Sequence, residues 1–337
     1  MTLRGKSKIQ LVLNYITFAL SSSIFGFYKL SKNNFDIIFV YEPSPITVGL
    51  PAIVFKKIKK VPIIFWTLDL WPDSLQAIGI IKSKFLLKLV GYIVSFIYKR
   101  CDLILGQSKS FLPYIKRYSK HNNIQYFPSW SEIQNKKGHN LTFHKSKSKF
   151  NIVFTGNIGE AQDFPSVLNA IELLKFEKSI HWTFVGDGRL LEWVKNEISL
   201  RNLSTLVSFE GSYPVEKMPD YYDKADALLV SLKNEPIFSM TIPGKLQAYL
   251  ISGKPILGML NGEGAKIIKD SGCGYVSNSG DSTSLVESIQ KLMRMKISDR
   301  KTMGLNGLKF SIKHFDRESL INKLESLMID YSKINKK

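Results

Sequence analysis

The sequence predicts an α/β chain made of two doubly wound, Rossmann-like halves in series. Three observations carry that expectation. Short apolar runs alternate with helical patterns, a polar and basic stretch without periodicity interrupts them at residues 131–149, and the alternation then restarts. Strands alternating with helices form parallel sheets, because a parallel pair needs a crossover long enough to hold a helix. At 337 residues the chain has room for two such domains.

The elements follow in order. Residues 9–28 carry no charge and are preceded by Arg4, Lys6 and Lys8. Such a run suits a signal peptide or a membrane span. Gln10, Asn14, Thr17 and the serines 21–23 dilute its apolarity, however, and Leu11, Tyr15, Phe18, Ser22 and Phe25 share one helical face. A buried or interfacial helix is therefore expected. Residues 36–40 read as a strand entering the loop Glu42-Pro43-Ser44-Pro45, residues 49–57 as a helix, and residues 62–66 as a strand running into Thr67-Leu68-Asp69-Leu70-Trp71-Pro72-Asp73. A long helix with basic ends is expected over 85–100, a third strand over 102–106, and a helix from Ser110. Past the linker come a strand at 150–154, a turn at 155–159 and a helix at 164–174. A strand at 181–185 ends in Gly186-Asp187-Gly188, a helix runs to Ser199, and a strand at 206–209 precedes Gly211. Strands at 227–230 and 255–258 flank a helix at 245–251, and residues 317–331 have helical spacing. The expected domains are 1–130, a linker at 131–149, 150–314, and a C-terminal helix and tail at 315–337.

Charge divides the halves. Residues 1–149 hold 23 Lys or Arg against 6 Asp or Glu, a balance of +17; the rest hold 24 against 22, a balance of +2. A basic half calls for an anionic partner. Nucleic-acid binding would want cations interleaved with exposed aromatics on a recognisable module. Here they flank apolar stretches, as in Lys56-Lys57-Ile58-Lys59-Lys60, so an anionic membrane surface is expected and nucleic acid is not. Two cysteines far apart, Cys101 and Cys273, make neither a disulfide framework nor a metal cluster and point to a reducing compartment.

Ligands of doubly wound sheets bind beyond the C-terminal strand ends. Gly156-Asn157-Ile158-Gly159 is such a turn, and its amides are candidates for a phosphate at a helix N-terminus, although a Gly-x-x-Gly turn is common. Gly186-Asp187-Gly188 reads as a tight turn with Asp187 capping the next helix. Residues 231–256 are more specific. A strand ends, a loop with Glu235, Ser239 and Thr241 follows, Pro243-Gly244-Lys245 opens a helix, and that helix ends at Gly253. A carboxylate, hydroxyls and helix-terminal amides together suit a pyrophosphate and a sugar.

These stretches, with Phe154-Thr155-Gly156 through Phe164, residues 184–188, Phe209-Glu210-Gly211, residues 218–227 and Gly262-Glu263-Gly264, resemble the family 4 glycosyltransferases of the GT-B fold. The likeness is strongest to the lipopolysaccharide and capsule branch of fucosamine and colanic-acid transferases, which residues 40–49 and 66–74 also resemble. The resemblance implies an active site between the two domains and a metal-independent transfer, in keeping with the lack of any Asp-x-Asp sequence. No cofactor is implied beyond a nucleotide-sugar donor, uridine-linked, and the acceptor would be a polyprenyl-diphosphate-linked glycan at the inner face of the cytoplasmic membrane. By the same resemblance Gly156, Asn157, Gly159, Gln162 and Gly186 would face the donor diphosphate, and Gly211 and Tyr213 the nucleobase. Glu235, as a catalytic residue, and the amides of Ser239, Met240 and Thr241 would hold the sugar; Lys245 and Gln247 would hold phosphate or ribose. Asp69, the second catalytic candidate, would come from the first domain with Glu42, Trp71 and Asp73 on the acceptor side.

Three features depart from the family. No Arg-Lys pair follows the first glycine of the phosphate turn, which leaves Lys245 to neutralise charge. Gln247 or Ala248 stands where a second Glu is usual. Relatives also carry about half a domain ahead of the helix at Ile9, so the first domain is expected to be incomplete. A catalytically weak, membrane-docked homologue and a basic nucleic-acid-binding protein are the alternative readings.

Overall fold

A computed structural model describes residues 8–119, 122–131 and 149–333. The chain divides into two compact units, the first made of Met1–Pro128 with Glu318–Lys337 and the second of Ser129–Arg317. The expected linker at 131–149 falls, apart from its two ends, outside the described residues. The C-terminal segment, expected to stand by itself, groups with the first unit from Glu318 onward.

The first unit runs α1 (Lys8–Leu30), β1 (Ile38–Glu42), α2 (Gly49–Lys59), β2 (Ile63–Thr67), α3 (Asp73–Ala77), α4 (Lys84–Tyr98), β3 (Leu103–Gly106), α5 (Phe111–Ser119) and β4 (Ile124–Tyr126). Its four strands pair in parallel in the order β1-β2-β3-β4, with Glu42 opposite Thr67 and Thr67 opposite Gly106. Each β-α-β step moves one strand along the sheet, so every strand ends on the same edge. β2 is buried along its whole length, the signature of a central parallel strand.

α1 corrects one expectation. Phe18 and Phe25, placed on the packed face by spacing, are 43% and 64% exposed. The packed stripe keeps half-buried Tyr15 and Ser22 of the expected face and passes through buried Ala19 and half-buried Gly26, the last lying against the Phe55 ring of α2. Small residues let two helices approach closely, and the large ones are left outside. Leu11 lies outside the described side chains. Among the described residues no helix is long and apolar enough to cross a membrane.

The second unit continues with β5 (Phe150–Thr155), α6 (Phe164–Leu173), β6 (Ile180–Val185), α7 (Leu191–Leu200), β7 (Val207–Gly211), α8 (Met218–Asp223), β8 (Ala227–Ser231), α9 (Pro236–Met240), α10 (Gly244–Ile251), β9 (Ile256–Met259), α11 (Gly262–Ser271), β10 (Gly274–Ser277), α12 (Ser282–Arg294) and α13 (Ile297–His314); α14 (Arg317–Ser332) closes the chain. Its six parallel strands stand in the order β10-β9-β8-β5-β6-β7. The chain builds outward from β5 to β7, then returns to the other side of β5 at β8. That reversal opens a crevice between the ends of β5 and β8, where such sheets bind ligands. Trp182, Phe154, Phe164 and Phe184 lock the core beneath it, the last three in edge-to-face contact.

Candidate functional site

The ends of β5 and β8 are tied together before any ligand is considered. Ser231 Oγ donates to the Gln162 carbonyl at 2.6 Å, the Lys233 amide donates to the Ala161 carbonyl at 2.8 Å, and Lys233 Nζ meets Glu160 at 2.9 Å. The loop after β5 is thus clamped to the loop that carries Glu235.

The glycine turn is not the open row of amides that its sequence suggests. The Gly156 amide donates to Val185, Ile158 to Asp187, and Gly159 to Oε1 of Gln162 at 3.3 Å. Three of the four amides are occupied, and Gln162 serves the turn rather than a ligand. The helix does not start at Gly159 either; a single 3-10 turn at Glu160–Gln162 precedes α6. Gly186 has a packing reason. Its φ is +146°, and a Cβ there would run into the carbonyl oxygen of Gly156. Gly188 meets Ile158 in the same way. The two turns are stacked backbone on backbone, and only glycine fits. Asp187 does not cap α7; its carboxylate accepts from the Gly188 amide at 2.7 Å.

Positive charge at this turn comes from α10. Tyr249 receives the Thr155 amide at 2.9 Å, which fixes α10 against the end of β5. Lys245, one turn earlier on the same helix face, then points back to the glycine turn. Its amine lies 3.7 Å from the Phe154 ring centroid and 3.7 Å from the point where a side chain on Gly156 would begin. It is shielded from water and makes no hydrogen bond among the described residues. Burial lowers its pKa from 10.5 to about 7. A buried cation that lacks an acceptor costs stability, so the geometry suits an anion brought in from outside. The sequence located Lys245, but the Phe154 platform beneath it is visible only in the structure.

The loop 235–241 is short α9 with Glu235 at its N-cap, half-buried and making no side-chain cap. The amides of Ser239 and Thr241 donate to the Glu235 and Phe238 carbonyls, and the Thr241 hydroxyl to Ile237. They stabilise α9 itself, which corrects the expectation that these amides await a sugar; Met240 lies between them. Gly262, with φ +68°, packs against the Ser239 carbonyl and holds the loop in place. Unclaimed amides are expected instead at the start of α10, where Gly244 and Lys245 precede the first intrahelical bonds. Gln247 is fully buried. In the orientation that satisfies both ends, its nitrogen donates to Gly244 O at 2.9 Å and its oxygen accepts from Ser129 Oγ at 3.2 Å. It closes the helix start rather than meeting a ribose. Gly211, at φ +81°, opens onto free space, and Tyr213 beside it is 46% exposed with its ring 5.5 Å from Tyr221, an aromatic surface of the kind a base stacks on.

In the first unit the ends of β1 and β2 assemble a second cluster. Glu42 is fully buried, and neither of its carboxylate oxygens makes a hydrogen bond of normal geometry among the described residues; the amides of Leu68 and Asp69 face it. Desolvation, then the charge of Asp69, raises its pKa well above the ordinary value. The Asp69 carboxyl faces inward and is raised by burial, an effect opposed by the polar groups of Ser74, Trp71 and Ser44 around it. Trp71 Nε1 donates to Asp69 at 3.1 Å and lies 3.3 Å from Ser44 Oγ. Two carboxyls in one apolar pocket do not both ionise readily. Trp71 is buried against Tyr15, so it supports this pair, while Asp73 stands apart at the start of α3. Ser44 and Ser74 stand inside the stretches read from the sequence but were not singled out there, and Tyr98, raised by burial and by Glu42, lies outside both. Among the described residues no three His, Cys, Asp or Glu side chains gather to hold a metal ion.

Comparison with known proteins shows what the chain is similar to. Residues 149–295 match the family model described as glycosyl transferases group 1. The probable glycosyltransferase WbjE of Pseudomonas aeruginosa is 24% identical over 240 residues, which take in 68% of this chain and 59% of that protein. Among solved structures, Anabaena HepE in complex with UDP and glucose superposes with a TM-score of 0.69 at 12% identity, covering 95% of this chain and 82% of that one. S. aureus TarM, in complex with fondaparinux, alpha-GlcNAc-glycerol and UDP, does so at 0.68 and 14%, covering 92% of this chain and 58% of that one. Residues 149–295 thus match the glycosyl transferases group 1 model, in a chain whose fold is that of solved GT-B glycosyltransferases.

Proposed function

We propose that the chain transfers a sugar from a nucleotide diphosphate sugar, uridine-linked, to a polyprenyl-diphosphate-linked glycan in surface-polysaccharide (O-antigen or capsule) assembly. The observation that carries the donor half is the buried Lys245 amine beside the Gly156 turn, which makes no hydrogen bond among the described residues. A diphosphate is the anion that such a cation favours, and its charge grows as the sugar departs. Glu235 orients the sugar from the clamped loop, and Tyr213 offers its ring to the uracil. Asp69, its proton affinity raised by burial, is the carboxyl that takes the proton of the acceptor hydroxyl. The likeness to HepE and TarM, whose structures hold UDP, supports this donor class. The acceptor half rests on the +17 balance of residues 1–149 and on the exposed apolar side chains of α1 and α4, which suit peripheral attachment at the inner face of the cytoplasmic membrane.

Calorimetric titration of UDP into the wild type and Glu235→Ala tests the donor site. The variant is expected to bind UDP like the wild type while losing turnover, because Glu235 addresses the sugar. Absence of binding by the wild type would remove the donor reading. Anionic vesicles should retain the protein at low salt and release it at high salt.

A further inference from the structure

α4 presents three faces to three surroundings. Leu87, Val94, Ile97 and Tyr98 are buried in the first unit. At about 100° per residue, exposed Phe85, Leu86, Leu89, Tyr92, Ile93 and Phe96 fall in one sector about 120° wide, a ridge about 16 Å long. Between ridge and core a third sector, with Lys88 and Ser95, faces a cavity of about 400 Å³. The opposite walls come from Asp73 at the start of α3 and from Arg117 and Tyr118 on α5.

This cavity is a built feature. Ser95 Oγ donates to the Tyr118 carbonyl at 2.6 Å, which joins α4 to α5. The Tyr114 hydroxyl donates to the Trp71 carbonyl at 3.2 Å, which joins α5 to the segment that carries Asp73. Lys88 and Arg117 are exposed at its rim, and neither pairs with a carboxylate among the described residues. Two cations on different helices suit a headgroup with two phosphates, and the contiguous ridge next to them suits a hydrocarbon chain. A nucleic acid would satisfy the cations and leave the ridge in water.

We propose that this cavity binds the diphosphate headgroup of a prenyl-type lipid, with the chain lying along the α4 ridge and Asp73 turned toward the sugar that the headgroup carries. The inference rests on the lipid-linked-acceptor reading given above and adds its site. The test is titration of farnesyl diphosphate into the wild type and Lys88→Ala/Arg117→Ala, with farnesol, inorganic pyrophosphate and phosphatidylglycerol micelles as separate ligands. The wild type is expected to bind farnesyl diphosphate more tightly than any of the other three. The double variant should lose about a hundredfold, at about tenfold for each charge-assisted contact. A thermal melt that matches the wild type shows that the first unit, which carries both substitutions, is intact, and UDP is titrated into the same proteins to read the second unit separately. With UDP binding retained, equal farnesyl diphosphate affinity in wild type and variant would overturn the site. Pyrophosphate or phosphatidylglycerol binding as tightly as farnesyl diphosphate would overturn it too, by reducing the cations to a general anion patch. Wild type that binds farnesyl diphosphate but not UDP would refute the donor reading and leave the pocket standing.

Discussion

Replacing Lys245 with Met keeps the volume of the stem and removes the amine, which separates what this residue contributes to the fold from what it contributes to the donor. In the folded chain burial holds the amine at a pKa of about 7, against 10.5 when it is exposed. Between those values the unfolded chain binds more protons than the native one, so native stability rises with pH across the window, and the amine is most costly at and below pH 7. At about 1.4 kcal/mol for each pH unit the interval is on the order of 5 kcal/mol, most of it present at pH 6.5 and only a minor part left at pH 9.5. Lys245→Met should therefore raise the melting temperature, by about 2–4 °C for each kcal/mol in a domain of this size. That gain should shrink markedly between pH 6.5 and pH 9.5. The same variant should bind UDP about ten- to a hundredfold more weakly, the loss of one charge-assisted contact. Scanning calorimetry at the two pH values and titration of UDP read both effects. A melting temperature unchanged at pH 6.5, or a gain independent of pH, would refute the account of a buried amine without a partner. Unaltered UDP affinity would take Lys245 out of the donor site.

Two further substitutions test the remaining geometry. Glu42→Gln keeps the shape of a buried side chain and removes a carboxyl whose pKa is raised well above the ordinary range. Because the native chain holds that proton more tightly than the unfolded one, stability falls as pH rises through the raised pKa. The variant should then melt higher than the wild type at neutral pH, and the difference should vanish below about pH 4.5 in thermal melts. Gly186→Ala places a methyl group against the Gly156 carbonyl in a left-handed backbone, and it should destabilise the second unit by about 2 kcal/mol or more. UDP affinity should fall with it, since the phosphate turn rests on Gly186, and a urea titration with a parallel UDP titration reads both.

The sequence by itself determined the class of fold and most element positions, because strand and helix periods are local properties of side-chain order. It also placed Lys245 and Glu235 in one loop-and-helix segment and Asp69 at a strand end, since residues beyond parallel strands are brought to a common edge by topology alone. Which of those groups are available to a ligand was decided only in three dimensions. Gln247 and Lys245 stand two residues apart on α10, yet the first turns inward to Ser129 while the second is left beside Phe154 with no acceptor among the described residues. Three of the four amides of the Gly156 turn, and those of Ser239 and Thr241, look open in a list of residues and are occupied by backbone carbonyls or by the Gln162 side chain. On α1, periodicity chose a face that includes large apolar residues, and packing left Phe18 and Phe25 exposed while burying Ala19 and setting Gly26 close against the Phe55 ring. Hydrogen-bond partners and helix spacing depend on residues distant in the chain, and a local pattern carries no record of them.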